Sequence, residues 1–262
     1  MSARTAAAAA AAAAAKWSFY QDVIAAVNPS DRAAACVKGR HWMALKSDRG
    51  GVGLAHFLPQ NSPPQSPPAE ELLGRPLREL AELIKSWDFH SASVGLAAIN
   101  ASLTSDLLTG SLDHVLTCGN AFDHFLQKVK GRRAAVVGHF PRLERLAQAA
   151  ESMIILERAP LPGDLPDSAA EYVLPEQDCV FITGTTIINK TLPRLLELSA
   201  QAEVFLVGPS VPLCPGLFDY GLQALSGSVV DDYVTLALNL SSGLALDFDK
   251  SLARQVNLLR PD

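Results

Sequence analysis

Three loops of this 262-residue chain gather side chains that do chemistry. The first is Val137-Gly138-His139-Phe140-Pro141. Imidazole titrates near neutrality, so His139 suits acid–base work or neutral metal ligation. A capping or packing histidine is the competing reading. The second loop, Thr183-Gly184-Thr185-Thr186-Ile187-Ile188-Asn189-Lys190-Thr191, combines hydroxyls, an amide and a cation. Thr185 or Thr186 is expected to cap the following helix, whose amino end attracts anions. A well-capped helix explains one threonine but not the cluster. The third loop, Gly208-Pro209-Ser210-Val211-Pro212-Leu213-Cys214-Pro215, is stiffened by prolines and presents Ser210. Cys214 is a soft metal donor or a small core residue.

The elements around these loops explain why they would meet. Short apolar runs at 134–138, 153–157, 179–184, 204–208 and 226–230 alternate with helical stretches at 142–150 and 192–200 and one opening near Asp231-Asp232. Near-continuous apolar strands alternating with helices predict a doubly wound parallel sheet, an α/β fold. Gly138, Gly184 and Gly208 follow three of the strands, at the carboxyl edge where open α/β sheets bind ligands. Glu157 ends the second strand, about 20 residues beyond Gly138, the spacing of a ribose-binding acid in dinucleotide folds. It also reads as a surface acid beside Arg158. No GxGxxG is present, which argues against ordinary pyrophosphate cradling.

The preceding part of the chain has a different texture. Residues 18–27 have helical spacing, and Lys38-Gly39 and Asp48-Arg49-Gly50-Gly51 read as turns of a small antiparallel meander. PQNSPPQSPP at 59–68 forms a proline-rich surface loop. Helices follow around 77–84 and 91–103, and a bridging helix spans 120–129. Asn100, on the small and apolar 91–103 helix, needs partners: an interdomain cleft or a neighbouring turn. His41, His56, His90, His114 and His124 lack metal-site spacing and read as structural or exposed.

Composition narrows the function. Hydrophobic residues make up 48% and charged residues 19%, enough apolar surface for a packed core. A net charge of −5 and 6% aromatics disfavour nucleic acid and anionic membranes as partners. The four cysteines, Cys36, Cys118, Cys179 and Cys214, are scattered without zinc-site spacing, which suits a reducing cytoplasm. No run is long and apolar enough for a membrane span. The alanine run Ala6–Ala15 reads as a frayed helix or low-complexity tail; weak hydrophobicity and the following Lys16-Trp17 disfavour a signal peptide.

Together these loops, with Leu217-Phe218-Asp219-Tyr220-Gly221, Gly51-Val52-Gly53-Leu54-Ala55 and Gly95-Leu96-Ala97-Ala98-Ile99-Asn100-Ala101, resemble the putative heavy-metal chelation family. The resemblance runs from about Trp17 onward. It implies an enolase N-terminal-like α+β domain followed by a Rossmann-like domain, with a site in the cleft between them. It does not imply enolase activity, because the metal-binding barrel of enolases has no counterpart here.

The expected organisation is an alanine-rich tail at 1–16, the α+β domain at 17–118 and the Rossmann-like domain at 119–262. The candidate catalytic residues are His139, Asn189 and Lys190. Gly138, Glu157, Gly184, Thr185, Thr186, Gly208, Ser210 and Asn100 are the candidate ligand contacts, and His139 and Cys214 the candidate metal ligands. The first functional expectation is metal handling, with a transition metal held partly by a small organic molecule. The second is an enzyme using S-adenosylmethionine or another nucleotide-type cofactor on a small heterocycle. The third is a non-catalytic ligand sensor or assembly module. On general grounds a homodimer is an expected partner state under any of these readings.

Overall fold

A computed structural model describes residues 17–110, 116–243 and 252–261. The alanine run and His114 lie outside the described residues. The first unit opens with helix α1 (17–25), then a meander of β1 (Ala33–Lys38), β2 (Trp42–Ser47) and β3 (Val52–His56). Helices α2 (Leu77–Ala81) and α3 (Phe89–Leu108) pack against it. Every residue of α3 from Ser91 to Ser105 is buried. A helix enclosed on all sides needs small residues for approach and partners for its hydroxyls. Both are present. Ser102 donates to the fully buried Asp31 carboxylate at 2.7 Å, and Ser93 donates to the His56 carbonyl at 2.8 Å.

The second unit is an eight-stranded sheet. Its strands are β4 (Leu116–Cys118), β5 (Arg133–Val137), β6 (Ser152–Glu157), β7 (Leu165–Pro166), β8 (Cys179–Thr183), β9 (Glu203–Val207), β10 (Leu222–Val230) and β11 (Ala253–Leu259). The spatial order is β4-β11-β10-β9-β8-β5-β6-β7. The six strands from β10 to β7 are parallel, with β5 central and successive strands added on either side of it. That is the dinucleotide-fold order, and its direction reverses between β5 and β8.

Several elements differ from the sequence expectation. β11 and β4 add an antiparallel flank to the parallel sheet. Because β4 pairs β11, Leu116–Cys118 belongs to the large sheet rather than to the first unit. The bridging helix is interrupted at Phe125, giving α4 (Ala121–His124) and α5 (Leu126–Val129). The Phe125 ring is buried against Phe205, with centroids 4.5 Å apart. β10 begins at Leu222, earlier than its apolar run suggests.

The two faces of the sheet are covered differently. One face carries Phe181 and Phe205, which meet Phe122 of α4 and Phe125 before α5, with helix α6 (Glu144–Ala149) beside them. The other shares one continuous apolar core with the first unit, in which Tyr20 and Leu96 join Ile182 and Leu206. The Tyr20 hydroxyl donates to the Ile187 carbonyl across this junction at 3.2 Å. Ser226 of β10 lies opposite Val207, the last residue of β9, so Gly227–Val230 and their β11 partners overhang the carboxyl edge. A helix over Tyr233–Ser241 follows, its amino end capped by Asp232, which accepts from the Thr235 N–H at 3.0 Å. Asp231 instead pairs with Arg254.

Candidate functional site

A cleft of about 920 Å³ opens along the carboxyl edge, spanning the β5/β8 reversal. Its floor is formed by the loops that follow β5, β8 and β9. Trp42, His56, Leu58 and Pro59 of the first unit form one wall, and Ser228 and Gln255 of the overhang line another. Gly138 and Gly208 have φ of 104° and 113°, the left-handed region that glycine enters without penalty. A Cβ at either position would lie 3.4–3.5 Å from the Phe140 ring. Phe140 therefore packs over both glycines and against Phe122, with centroids 5.2 Å apart. An aromatic ring thus covers the glycine edge that a dinucleotide fold leaves open to its pyrophosphate.

His139 lines the cleft with its side chain 40% exposed. Its Nδ1 lies 3.0 Å from Oδ2 of Asp164, whose side chain is 4% exposed. A carboxylate only accepts, so Nδ1 carries the proton of this contact, and in the neutral imidazole the lone pair then sits on Nε2. A carboxylate on Nδ1 orients the ring of a metal-ligating histidine or a general base in this way. Glu157 also lines the cleft, but its carboxylate serves the loops. Oε2 accepts the His139 N–H at 3.0 Å, and Oε1 accepts the N–H groups of Arg158 at 2.7 Å and Ala159 at 3.4 Å. The expected ribose acid is thus occupied by backbone.

Gly184, Thr185, Thr186 and Asn189 line the cleft around a short helix, Thr185–Ile188. The expected cap by Thr185 or Thr186 is not made: Gly184 is the cap residue, and Thr183 Oγ1 accepts the Thr185 N–H at 3.4 Å. Thr186 instead donates back to the Thr183 carbonyl at 2.6 Å, and the Thr183 and Thr185 hydroxyls meet at 3.1 Å. Asn189 Oδ1 accepts from Thr191, holding the next turn. Ser210 lines the cleft and receives the His56 N–H at 3.1 Å.

Three candidates lie elsewhere. Lys190, at φ 65°, turns away from the cleft and donates to the carbonyls of Ser86 and Ile188. Its ammonium lies 5.7 Å from the Trp87 ring centroid, and burial pulls its pKa down to about 8. Asn100 bridges the units from behind the cleft floor, donating to Leu54 O at 2.9 Å and Ser210 O at 3.1 Å. Cys214 is 5% exposed, and burial pushes its thiol pKa up, which opposes the thiolate a metal needs.

Two cleft residues had no functional reading from sequence. His56 forms part of the wall, its Nδ1 buried without a hydrogen-bond partner. Burial, then the neighbouring His41, lowers its pKa. Arg158 lines both the main cleft and an adjoining cavity of about 410 Å³. Its only sequence signal is its place after a strand-ending acid. Among the described residues no three His, Cys, Asp or Glu side chains gather as a metal cage.

Comparison with known proteins adds ancestry. A family model described as "Putative heavy-metal chelation" (DUF364) matches residues 120–256, and a second model of the same description (DUF4213) matches residues 20–103. The chain is similar to a solved DUF364-family protein of unknown function from Desulfitobacterium hafniense. That likeness is 36% identity over 94% of this chain and 98% of the other, with a TM-score of 0.80. A second solved DUF364-family structure, from Pyrococcus horikoshii, shares the fold at 18% identity over 92% of this chain and 97% of that one, TM-score 0.75. An uncharacterized protein of Methanocaldococcus jannaschii is 28% identical over 167 residues, 61% of this chain, and the match spans 62% of that relative's length. No described helix is long and apolar enough to cross a membrane.

Proposed function

The chain belongs to the family described as "Putative heavy-metal chelation", and from that premise we propose that it handles a transition metal as the complex of a small organic molecule in this cleft. The observation that carries the reading is the His139–Asp164 pair. Asp164 fixes the imidazole tautomer, so Nε2 is the donor offered to the cargo metal. One imidazole is too few for a tight all-protein site, so the remaining coordination falls to the organic component. The cleft volume suits such a complex, being within the range of small-molecule pockets.

The chain as purified is measured by native mass spectrometry alongside metal analysis. The reading expects a metal and a bound organic mass together, both lost in His139→Ala. Stoichiometric metal with no organic mass overturns the two-component reading. A metal content unchanged by His139→Ala overturns the role of His139.

A second reading, a nucleotide-type cofactor, draws support from the strand order and its reversal at the cleft. The Phe140 ring over Gly138 and Gly208 weighs against phosphates there and favours a phosphate-free ligand such as S-adenosylmethionine. An organic mass without metal would favour this reading.

A further inference from the structure

We infer that Arg158 is the anion-recognising residue of the cleft, so that the metal complex it accepts carries free carboxylate or phosphate. The inference rests on the two-component reading above and names the chemistry of the organic part. Three observations support it.

First, Arg158 stands where two cavities join. It lines the main cleft and, with Pro59, the adjoining cavity beside Trp87 and Phe89. Second, its guanidinium is held but not consumed. It lies 5.7 Å from the Phe89 ring centroid, and the nearest carboxylate, Asp167, is 3.8 Å from its Nε, too far for a good hydrogen bond. By contrast, Arg132, Arg133, Arg194 and Arg254 each donate to a carboxylate at 3.3 Å or closer. A guanidinium presents a planar fork of donors matched to carboxylate or phosphate. Third, Glu157 ties Arg158 to His139. Its one carboxylate accepts both backbone N–H groups, so the residue offering the metal donor and the residue offering the cation share one anchor. A ligand anchored at His139 by its metal then meets Arg158 with its anionic arm, and the second cavity admits the excess length.

The test is calorimetric titration of the full chain with nickel(II) citrate, an anionic chelate, and nickel(II) tris(2-aminoethyl)amine, a cationic one. Each leaves coordination positions for an imidazole. The citrate complex is expected to bind more tightly. Arg158→Gln is expected to weaken it about tenfold or more without weakening the cationic complex, which loses a like-charge neighbour. Arg158→Lys should recover part of the loss, because it restores charge without the fork. A nickel(II) complex of a phosphate-bearing chelator, titrated in parallel, reports which anion the site prefers. Equal binding of both charge classes, unaffected by Arg158→Gln but lost in His139→Ala, overturns this inference and leaves the metal reading standing. Failure of the wild-type chain to bind any of these complexes overturns both.

Discussion

Nδ1 of His139 lies 3.0 Å from Oδ2 of Asp164, a pairing between residues 25 positions apart. The same Asp164 oxygen accepts the Leu161 N–H at 3.0 Å, so the loop after β6 closes on its own carboxylate and presents it to the imidazole. The orientation of His139 is therefore set by β6 and its loop as much as by the strand that delivers it. On the proposed reading, Asp164→Asn leaves the chain folded but frees the imidazole to change tautomer. Metal-complex affinity is expected to fall about 10–100-fold, the usual cost of losing such a partner. Titration with nickel(II) citrate, beside a denaturation curve, separates this from unfolding.

Gly53 meets α3 where nothing larger fits. A Cβ there would lie 1.9 Å from the Ala97 carbonyl oxygen and 2.4 Å from the Ala101 nitrogen, both helix backbone. Backbone on both sides cannot yield as a flexible side chain would. Gly53→Ala is expected to cost about 3 kcal/mol or more, by forcing β3 off the helix. Urea denaturation measures it, and a loss below about 1 kcal/mol would show that the helix shifts freely.

How far the sequence reaches follows from what each element buries. β5, β8 and β9 are covered on both faces and read as continuous apolar runs. β11, Ala-Arg-Gln-Val-Asn-Leu-Leu, mixes polar and apolar residues because Gln255 lines the cleft and the buried Asn257 bonds Ser226 and the Gly119 carbonyl. β4 and β7, at 3 and 2 residues, are too short to carry a period. His139 was legible from its place after a strand, but Asp164 lies in a Pro- and Gly-containing loop with no pattern to mark it. The direction of Lys190 depends on a backbone φ of 65°, which its residue type does not announce.

Glu157 distinguishes loop anchoring from cofactor recognition. Glutamine has one acceptor oxygen where the carboxylate has two, and three backbone N–H groups converge on it. Glu157→Gln is therefore expected to cost about 1–2 kcal/mol and to speed hydrogen exchange at the His139 amide. The affinity for S-adenosylmethionine, if the chain binds it, should change little. Large loss of that affinity with unchanged stability would restore the ribose-acid role.

Lys190 joins the units through a partly buried ammonium, and its desolvation sets a pH dependence. Its pKa falls from the ordinary 10.5 to about 8, desolvation outweighing the nearby Asp88 charge. Between these values the unfolded chain holds a proton that the folded chain has released. Stability then rises with pH, because unfolding takes up protons. Below about pH 8 both states are protonated and the full cost of burying the charge is present. Lys190→Met removes the titration, though it also leaves the Ser86 and Ile188 carbonyls without this donor. That second loss does not vary with pH, so the slope is diagnostic even if the variant is less stable throughout. Urea denaturation of both chains at about pH 7.5 and 9.5 should show the wild type gaining stability relative to the variant as pH rises. A constant difference would mean that the ammonium is better solvated than its contacts with Ser86, Ile188 and Trp87 imply.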